Sequence, residues 1–514
     1  RFCYISETSH GIFPIEERPR RGVVLNTSLI YASILCFLLV LAGMLTVFVM
    51  PRFRLTTLDR SDGSVRPAII LAAALIIVSC IVPMGLSPAY NGEELNYRNQ
   101  YEMITEAFLA GQLHFQYEVD ERLLAMENPY DMVERAVQGI PFQWDHALYN
   151  GHYYMYFGVV PVLVLFLPFR VITGQPLTGY HGAQVFAAVY IVGLFMLLWL
   201  LGRKFFEKMS LSIYLLLCAA IAYFTIWYAV AAPTLYSMAI LSALAFAVFS
   251  LYCFAKAVWC AETENRAVAY AALGSLFGAL GLSNLVVLPL IMIFLQKRRV
   301  SVRLLGKMLL AALPYAIVAA GLMWYNHARF GNPFEFGQSY QLTVIDQTSY
   351  AGGMLERLDL KATLRDIYFY LFNNMLSLPA LEPLPRIGPF VTFPLLPAAF
   401  ALLLFRNTRR HLCRHKLTLF GLFTLMAVVV IIIFDVLWAP IPEPRYRMDF
   451  AWLLGVVAFM LIGSACQAIR RPHVFHAVIG AACILTVLSS VVLFLYPYDL
   501  NFTYYFGINL FGSI

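Results

Sequence analysis

Charge is what this chain has least of. Only 13% of its 514 residues are Asp, Glu, Lys or Arg, where a soluble globular protein carries roughly a quarter to keep its surface wetted. So few charges cannot coat two or three soluble domains, and the soluble classes are excluded. The same composition excludes a secreted disulfide scaffold, and the nine cysteines contain no CxxC pair and no metal-ligand spacing. Cys80, Cys218, Cys253, Cys466 and Cys483 fall in or beside apolar runs, where a small buried hydrophobe is expected. No tandem repeat is visible, and no inverted pair of broken spans of the kind that marks many secondary transporters.

What is abundant is apolar surface. Hydrophobic residues make up 61% of the chain and the mean hydropathy is +0.73. Runs of about twenty apolar residues, each long enough for a ~30 Å hydrocarbon core, recur at 27–50, 68–88, 153–170, 180–201, 211–230, 233–256, 266–295, 304–326, 388–405, 417–437, 447–466 and 474–496. The stretch 266–295 is overlong and broken by Gly281, Ser283, Asn284 and Pro289, so it reads as one kinked span or two short ones. The fold expected is an all-α polytopic membrane protein with twelve or thirteen transmembrane helices.

The net charge of +7 is read as topology rather than nucleic-acid binding, because Lys and Arg collect in short cytoplasmic loops. Lys297-Arg298-Arg299 with Arg303, the run Arg406 to Lys416, Arg470-Arg471 and the linker 51–67 are such loops. Loops 89–152, 327–387 and 438–446 and the tail 497–514 then share the outer face. Loop 89–152 alone holds eleven of the 29 acids against three arginines. One conflict remains. With 266–295 as a single span, Arg203-Lys204 falls outside, against the charge rule. Splitting 266–295 repairs this only if another segment does not cross, and 153–170, short and holding Pro161 and Pro168, is the weakest.

The outer loops carry the chemistry. Asn91-Gly92-Glu93-Glu94 stands where span 68–88 emerges. Paired carboxylates there suit a general base for an acceptor hydroxyl or amine, a hard-cation site or a hydrated rim. From Tyr97, apolar residues recur at Tyr101, Ile104 and Phe108, with Glu102, Thr105 and Glu106 on the other face and Gly111 as a stop. This predicts an amphipathic helix lying at the interface or packed on the bundle. Asn128-Pro129-Tyr130-Asp131 follows, then Trp144-Asp145-His146 and the aromatic stretch Tyr149 to Gly158, in which His146 and His152 lack a zinc spacing and suit interface hydrogen bonding. Loop 327–387 opens with His327-Ala328-Arg329-Phe330-Gly331-Asn332-Pro333, whose Gly and Pro density predicts an ordered backbone. Arg445-Tyr446-Arg447 sits at an outer helix end, against the charge bias. Arginine there binds lipid phosphate bidentately, snorkels, or pairs with Asp449.

Over about residues 68–496 the chain resembles the bacterial GT-C superfamily of integral-membrane glycosyltransferases, near its aminoarabinose- and mannosyl-transferase types. The resemblance rests on Glu93-Glu94…Tyr101…Ala107…Gly111, on Asp145-His146-Ala147-Leu148-Tyr149-Asn150-Gly151-His152-Tyr153-Tyr154-Met155-Tyr156-Phe157-Gly158-Val159-Val160-Pro161, on Gly278…Gly281-Leu282, on Arg329-Phe330-Gly331-Asn332-Pro333 and on Arg445-Tyr446-Arg447-Met448-Asp449. It implies a GT-C-like bundle. It also implies inverting transfer of a sugar from a polyprenyl-phosphate donor to a glycan, lipid or protein acceptor of the cell envelope, at the outer face of a bacterial plasma membrane. By the resemblance, Glu93, Glu94 or Asp145 is the base, with Glu93 standing where the family usually has Asp. Arg445, Arg447 and Arg329 hold the donor phosphate, and Tyr97, Tyr149, His152, Tyr153 and Tyr446 line the pocket. No metal or other cofactor is implied. Domain limits fall at 1–67 (an added span, since the family's acidic pair usually follows the first), 68–326, 327–387 and 388–514. The alternatives are a transporter or flippase of lipid-linked cargo, which would place ionisable residues inside spans, and a non-catalytic envelope scaffold.

Overall fold

The structure is a computed structural model that describes residues 27–59, 65–86, 100–281, 302–343, 346–347, 358–372, 387–438, 444–469 and 471–495. It is all-α apart from one two-stranded hairpin. Among the described residues nine helices are long and apolar enough to cross a membrane: Thr27–Val49, Arg66–Met84, Gly179–Phe205, Leu211–Ala231, Leu235–Trp259, Leu305–Phe330, Leu417–Trp438, Pro444–Cys466 and Pro472–Leu495. The chain forms two compact units. The smaller is drawn from Gly92–Thr178 and Leu322–Glu356, the larger from Thr27–Asn91, Gly179–Gly321 and Arg357–Ile514. Parts of the two long loops 89–152 and 327–387 thus belong to one compact unit.

Three expected segments are not among the nine. Of 153–170, Tyr153 and Tyr154 belong to the hairpin, and the helical remainder starts as a π-helical turn, Val162–Phe166, continuing as Leu167–Thr173. Pro161 and Pro168 flank that turn, so the segment is too short to span. Segment 388–405 is cut into Pro389–Thr392, Leu395–Phe400 and the 3-10 turn Ala401–Leu404. Pro389, Pro394 and Pro397 each lack the amide a continuous helix needs. The Leu395 amide instead donates to the Thr486 hydroxyl at 3.0 Å. Of 266–295, a helix Glu264–Gly281 is described up to the expected break, and the rest lies outside the described residues.

In the larger unit burial sorts the spans. Leu211–Ala231 and Pro444–Cys466 are 94% and 89% buried over their apolar windows, and Thr27–Val49 only 17%. A helix apolar on every side and buried on every side is central. One apolar on every side but exposed has hydrocarbon for its solvent. Small residues let the central helices close. A Cβ on Gly455 would come within 2.5 Å of Ile221, and one on Gly463 within 2.5 Å of the Phe206 ring.

One end of this bundle collects several of the basic linkers. Leu58 N donates to Met209 O at 3.0 Å, Asp59 N to Glu207 O at 3.1 Å and Leu211 N to Thr56 O at 2.8 Å, around a Thr57–Ser210 bridge. The Arg203 guanidinium donates to the Leu58 carbonyl. Arg54 donates to His473 Nδ1 at 3.0 Å, and His411 Nδ1 lies 3.2 Å from Ser464 Oγ. Arg203-Lys204 therefore shares an end with linker 51–59, the run 406–416 and the start of the span Pro472–Leu495. Placing that linker here required 153–170 not to cross, and Val162–Thr173 is too short to do so.

Candidate functional site

In the smaller unit the predicted amphipathic helix is present from Gln100 to Leu109. Its end is fixed by Gly111 at φ +75°. The Gly111 amide donates to Phe108 O and that of Gln112 to Ala107 O, at 3.0 and 2.8 Å, a Schellman arrangement that only a left-handed residue closes without strain. Tyr101 and Ile104 face inward as expected. Thr105, expected on the polar face, is buried instead, because its hydroxyl is satisfied by the Tyr101 carbonyl at 2.7 Å. Glu106 pairs with Arg170 at 2.9 Å. Burial, with Glu106 alongside, raises the Glu102 carboxyl above its ordinary range.

The sequence Asn128-Pro129-Tyr130-Asp131 is a clasp. Asn128 Oδ1 accepts from the Tyr130 amide at 3.0 Å while its Nδ2 donates to Asp346 at 3.1 Å. Asp131 caps Met132–Gln138 by accepting from the amides of Val133 and Glu134. Tyr130 OH donates to Leu148 O at 2.8 Å. Arg135, nearly fully buried over the Phe142 ring, donates to Pro129 O and Thr343 O. Burial lowers its pKa.

These contacts hold the hairpin Ala147–Tyr149/His152–Tyr154, with Ala147 opposite Tyr154, Leu148 opposite Tyr153 and Tyr149 opposite His152. Asn150 and Gly151, at φ +47° and +77°, make the two-residue turn that Asn-Gly favours. A segment of loop 327–387 pairs beside it. Leu342 N donates to His146 O at 2.9 Å, Asp145 N to Leu342 O at 3.1 Å, and Ala147 bridges Gln341.

Asp145 sits at the base of the hairpin, 3% exposed and in the left-handed region at φ +55°. Its Oδ1 accepts from Gln341 Nε2 at 2.6 Å, and the same amide donates to Tyr156 OH at 2.9 Å. Gln100 Nε2 holds the Asp145 carbonyl at 2.8 Å. His146 is fully buried among Phe115, Tyr117 and Tyr153. Its Nδ1 lies 2.7 Å from the Trp144 carbonyl, and its Nε2 has no hydrogen-bond partner. Burial pushes its pKa down to about 4. Tyr153 is also buried, its pKa pushed up to about 12 by burial, and its hydroxyl accepts from the Gln143 amide at 3.3 Å. His152 is exposed and stacks on His114 at 4.1 Å. Tyr149 packs on Tyr340 at 4.6 Å and Phe330 at 5.6 Å. Tyr149, Tyr156 and Tyr340, each only partly buried, form an aromatic ledge over the hairpin. Arg329 is turned inward: it donates to Met155 O at 2.5 Å and Asn326 Oδ1 at 2.8 Å, with the Tyr325 ring 3.9 Å from its guanidinium. Glu93, Glu94 and Tyr97 lie outside the described residues.

The other predicted cations belong to the larger unit. Arg445 stands in the first turn of Pro444–Cys466 with its guanidinium over Tyr236 at 4.7 Å and Tyr446 at 5.1 Å. Tyr236 opens the span Leu235–Trp259, and nearby Thr234 has a buried hydroxyl with no hydrogen-bond partner. Arg447 is buried and donates to Ile387 O at 2.6 Å. Asp435, on the span Leu417–Trp438, has a buried carboxylate oxygen with no hydrogen-bond partner, and Asp449 lies on the next span, Pro444–Cys466.

An aromatic-backed guanidinium at the positive end of a 23-residue helix is suited to an anion. The ledge around Tyr149 is suited to stacking on an amphipathic ring, with Asp145 as its anchor. Gln341, Gln100, Arg135 and Tyr236 escape the sequence reading. A signal existed only for the hairpin itself, in Asn150-Gly151. Among the described residues no group of three or more His, Cys, Asp or Glu is placed to hold a metal. Compared with known protein families, with curated proteins and with solved structures, the chain matches none.

Proposed function

We propose that the chain is a membrane glycosyltransferase of the GT-C kind, moving a sugar with inversion from a polyprenyl-phosphate donor to a cell-envelope acceptor at the outer face. The observation that carries this is Arg445, a cation backed by two tyrosines at a helix N-terminus, at a span end where the charge rule disfavours arginine. A donor of this class leaves as a lipid phosphate. The acceptor oxygen loses its proton to a carboxylate and bonds to the anomeric carbon from the face opposite the leaving group. The bond from that carbon to the phosphate oxygen breaks, and the phosphate gains negative charge that a nearby guanidinium stabilises.

Roles are assigned on this basis. Glu93 is the base, with Glu94 beside it. Arg445, which also donates to the Tyr446 hydroxyl at 3.4 Å, takes the phosphate, and Arg329 and Arg447, which donate to carbonyl groups, position backbone. Asp145 anchors the ledge through Gln341, and Tyr149 and His152 offer the sugar or acceptor an aromatic edge. The bacterial plasma membrane and the outward active face belong to this proposal.

The test is native mass spectrometry of the full chain with added polyprenyl-phosphate sugars. The wild type retains them, Arg445→Gln retains them about tenfold less tightly, as loss of a charge-assisted contact implies, and Glu93→Gln retains donor but transfers nothing. No donor on the wild type, or full transfer by Glu93→Gln, overturns the reading. A second reading, proton-coupled transport of lipid-linked cargo, is favoured by Asp435 and Asp449, since acids within spans are costly and usually functional. Transport abolished by Asp435→Asn, with no transfer activity in the wild type, selects it.

A further inference from the structure

The helix Arg406–Arg414 has no role in that reaction. The sequence around it carries no acid at any position between Glu382 and Asp435. Thr408 and Leu412, one turn apart, are buried. Arg406, Arg410 and Arg414 therefore form an i, i+4, i+8 row on the opposite side, and all three are exposed. Arg409 is already engaged, donating to the carbonyls of Leu403 and Leu404 at 2.5 and 3.0 Å. Like charges one turn apart repel, and Arg406 also meets the positive end of the helix dipole. Among the described residues no carboxylate pairs with this row.

The flanks say where the counter-charge lies. Just before the helix, Leu403, Leu404 and Phe405 project, 38%, 81% and 61% exposed. Just after it, Leu417 opens a span. An apolar triplet, a guanidinium row and a transmembrane helix in succession describe an element lying in the interfacial plane. Its apolar residues reach the acyl boundary while its cations stay at headgroup depth. The anions at that depth are lipid phosphates, which guanidinium binds bidentately.

We propose that Leu403–Arg414 is a binding site for anionic phospholipid headgroups in the leaflet that faces the basic end of the bundle. Among the described residues Arg52, Arg54, Arg203, Lys204, Lys208 and Arg471 sit in the linkers at that same end with Asp59 and Glu207, while Glu262 and Glu264, just past Trp259 there, are paired with Arg266 and Lys307. The local field therefore favours a net-negative headgroup over a zwitterionic one. The inference is independent of the reaction proposed above.

The test uses the full chain in nanodiscs of phosphatidylglycerol and phosphatidylcholine with identical acyl chains. Lipid retained after release is counted by class with native mass spectrometry. The wild type holds phosphatidylglycerol in preference. R406Q/R410Q/R414Q weakens that preference by about fivefold per arginine, on the order of a hundredfold in all. R406K/R410K/R414K, which keeps the charges that set topology, stays within a few-fold of wild type. If the triple Gln variant does not insert, R410Q alone gives the single fivefold step. Equal retention of the two lipids by the wild type, or unchanged preference in R410Q, overturns the proposal.

Discussion

Acidification should loosen the hairpin of the smaller unit through His146. With Nδ1 2.7 Å from the Trp144 carbonyl, that nitrogen carries the proton, and the Gln100 amide 3.4 Å away is not its donor but belongs to the Asp145 carbonyl. A second proton would have to sit on Nε2, which is buried among aromatic rings and has no hydrogen-bond partner. Burial therefore holds the folded pKa near 4, below the ordinary 6.5. The folded state binds fewer protons than the unfolded one, so its stability is full above pH 6.5, falls as pH drops, and stops falling below about 4. Between pH 7 and pH 5 the loss is about 2 kcal/mol, roughly a twentyfold rise in local opening. Hydrogen exchange at the amides of 147–154, corrected for the intrinsic pH dependence of exchange, reads this directly. His146→Asn keeps a donor for Trp144 and removes the titration, so its protection should barely change over the same range. Equal loss of protection in the two proteins would refute the argument.

Two further outcomes follow from packing and hydrogen bonding. Gln341→Leu removes the donor shared by Asp145 and Tyr156 and should cost about 1–3 kcal/mol locally, read as faster exchange at 338–343 and 145–149; unchanged exchange there would show that the amide does not hold the ledge. Gly463→Ala places a Cβ within 2.5 Å of the Phe206 ring, whereas Gly421→Ala meets Met460 at an ordinary 3.5 Å. The first should cost about 1–3 kcal/mol and lower the melting temperature in detergent, the second should be near neutral, and equal melting of the two variants would contradict the packing.

The spans were legible because a twenty-residue apolar run has few other uses. Where legibility failed, backbone chemistry outweighed hydropathy. Segments 153–170 and 388–405 are apolar enough, but Pro161, Pro168, Pro389, Pro394 and Pro397 break the amide ladder. The helix at Gln100–Leu109 follows its apolar spacing, yet Thr105 turns inward because a hydroxyl can bond the carbonyl four residues back. Reading 149–158 as an aromatic belt passes over Asn150-Gly151, the strongest short hairpin signal in the chain. Gln341 lies 196 residues from Asp145, and no local pattern pairs them. Likewise Arg329 and Arg447 read as phosphate ligands by position. Their inward turn is set by carbonyls at Met155 and Ile387 that only the folded chain supplies.

The junction of Thr56–Asp59 with Glu207–Leu211 bears on the order in which the protein is made. The spans Thr27–Val49 and Arg66–Met84 leave the ribosome long before the linker that joins them at this junction, which follows ~150 residues later, on the order of ten seconds or more of synthesis. Through that interval the Leu58 and Asp59 amides have only water or lipid headgroups to bond, and the two spans have their mutual packing but not this junction. Arrival of Met209 and Glu207 closes the junction, so the backbone pairing of linker 56–59 waits for a segment synthesised after residues 100–178 of the smaller unit.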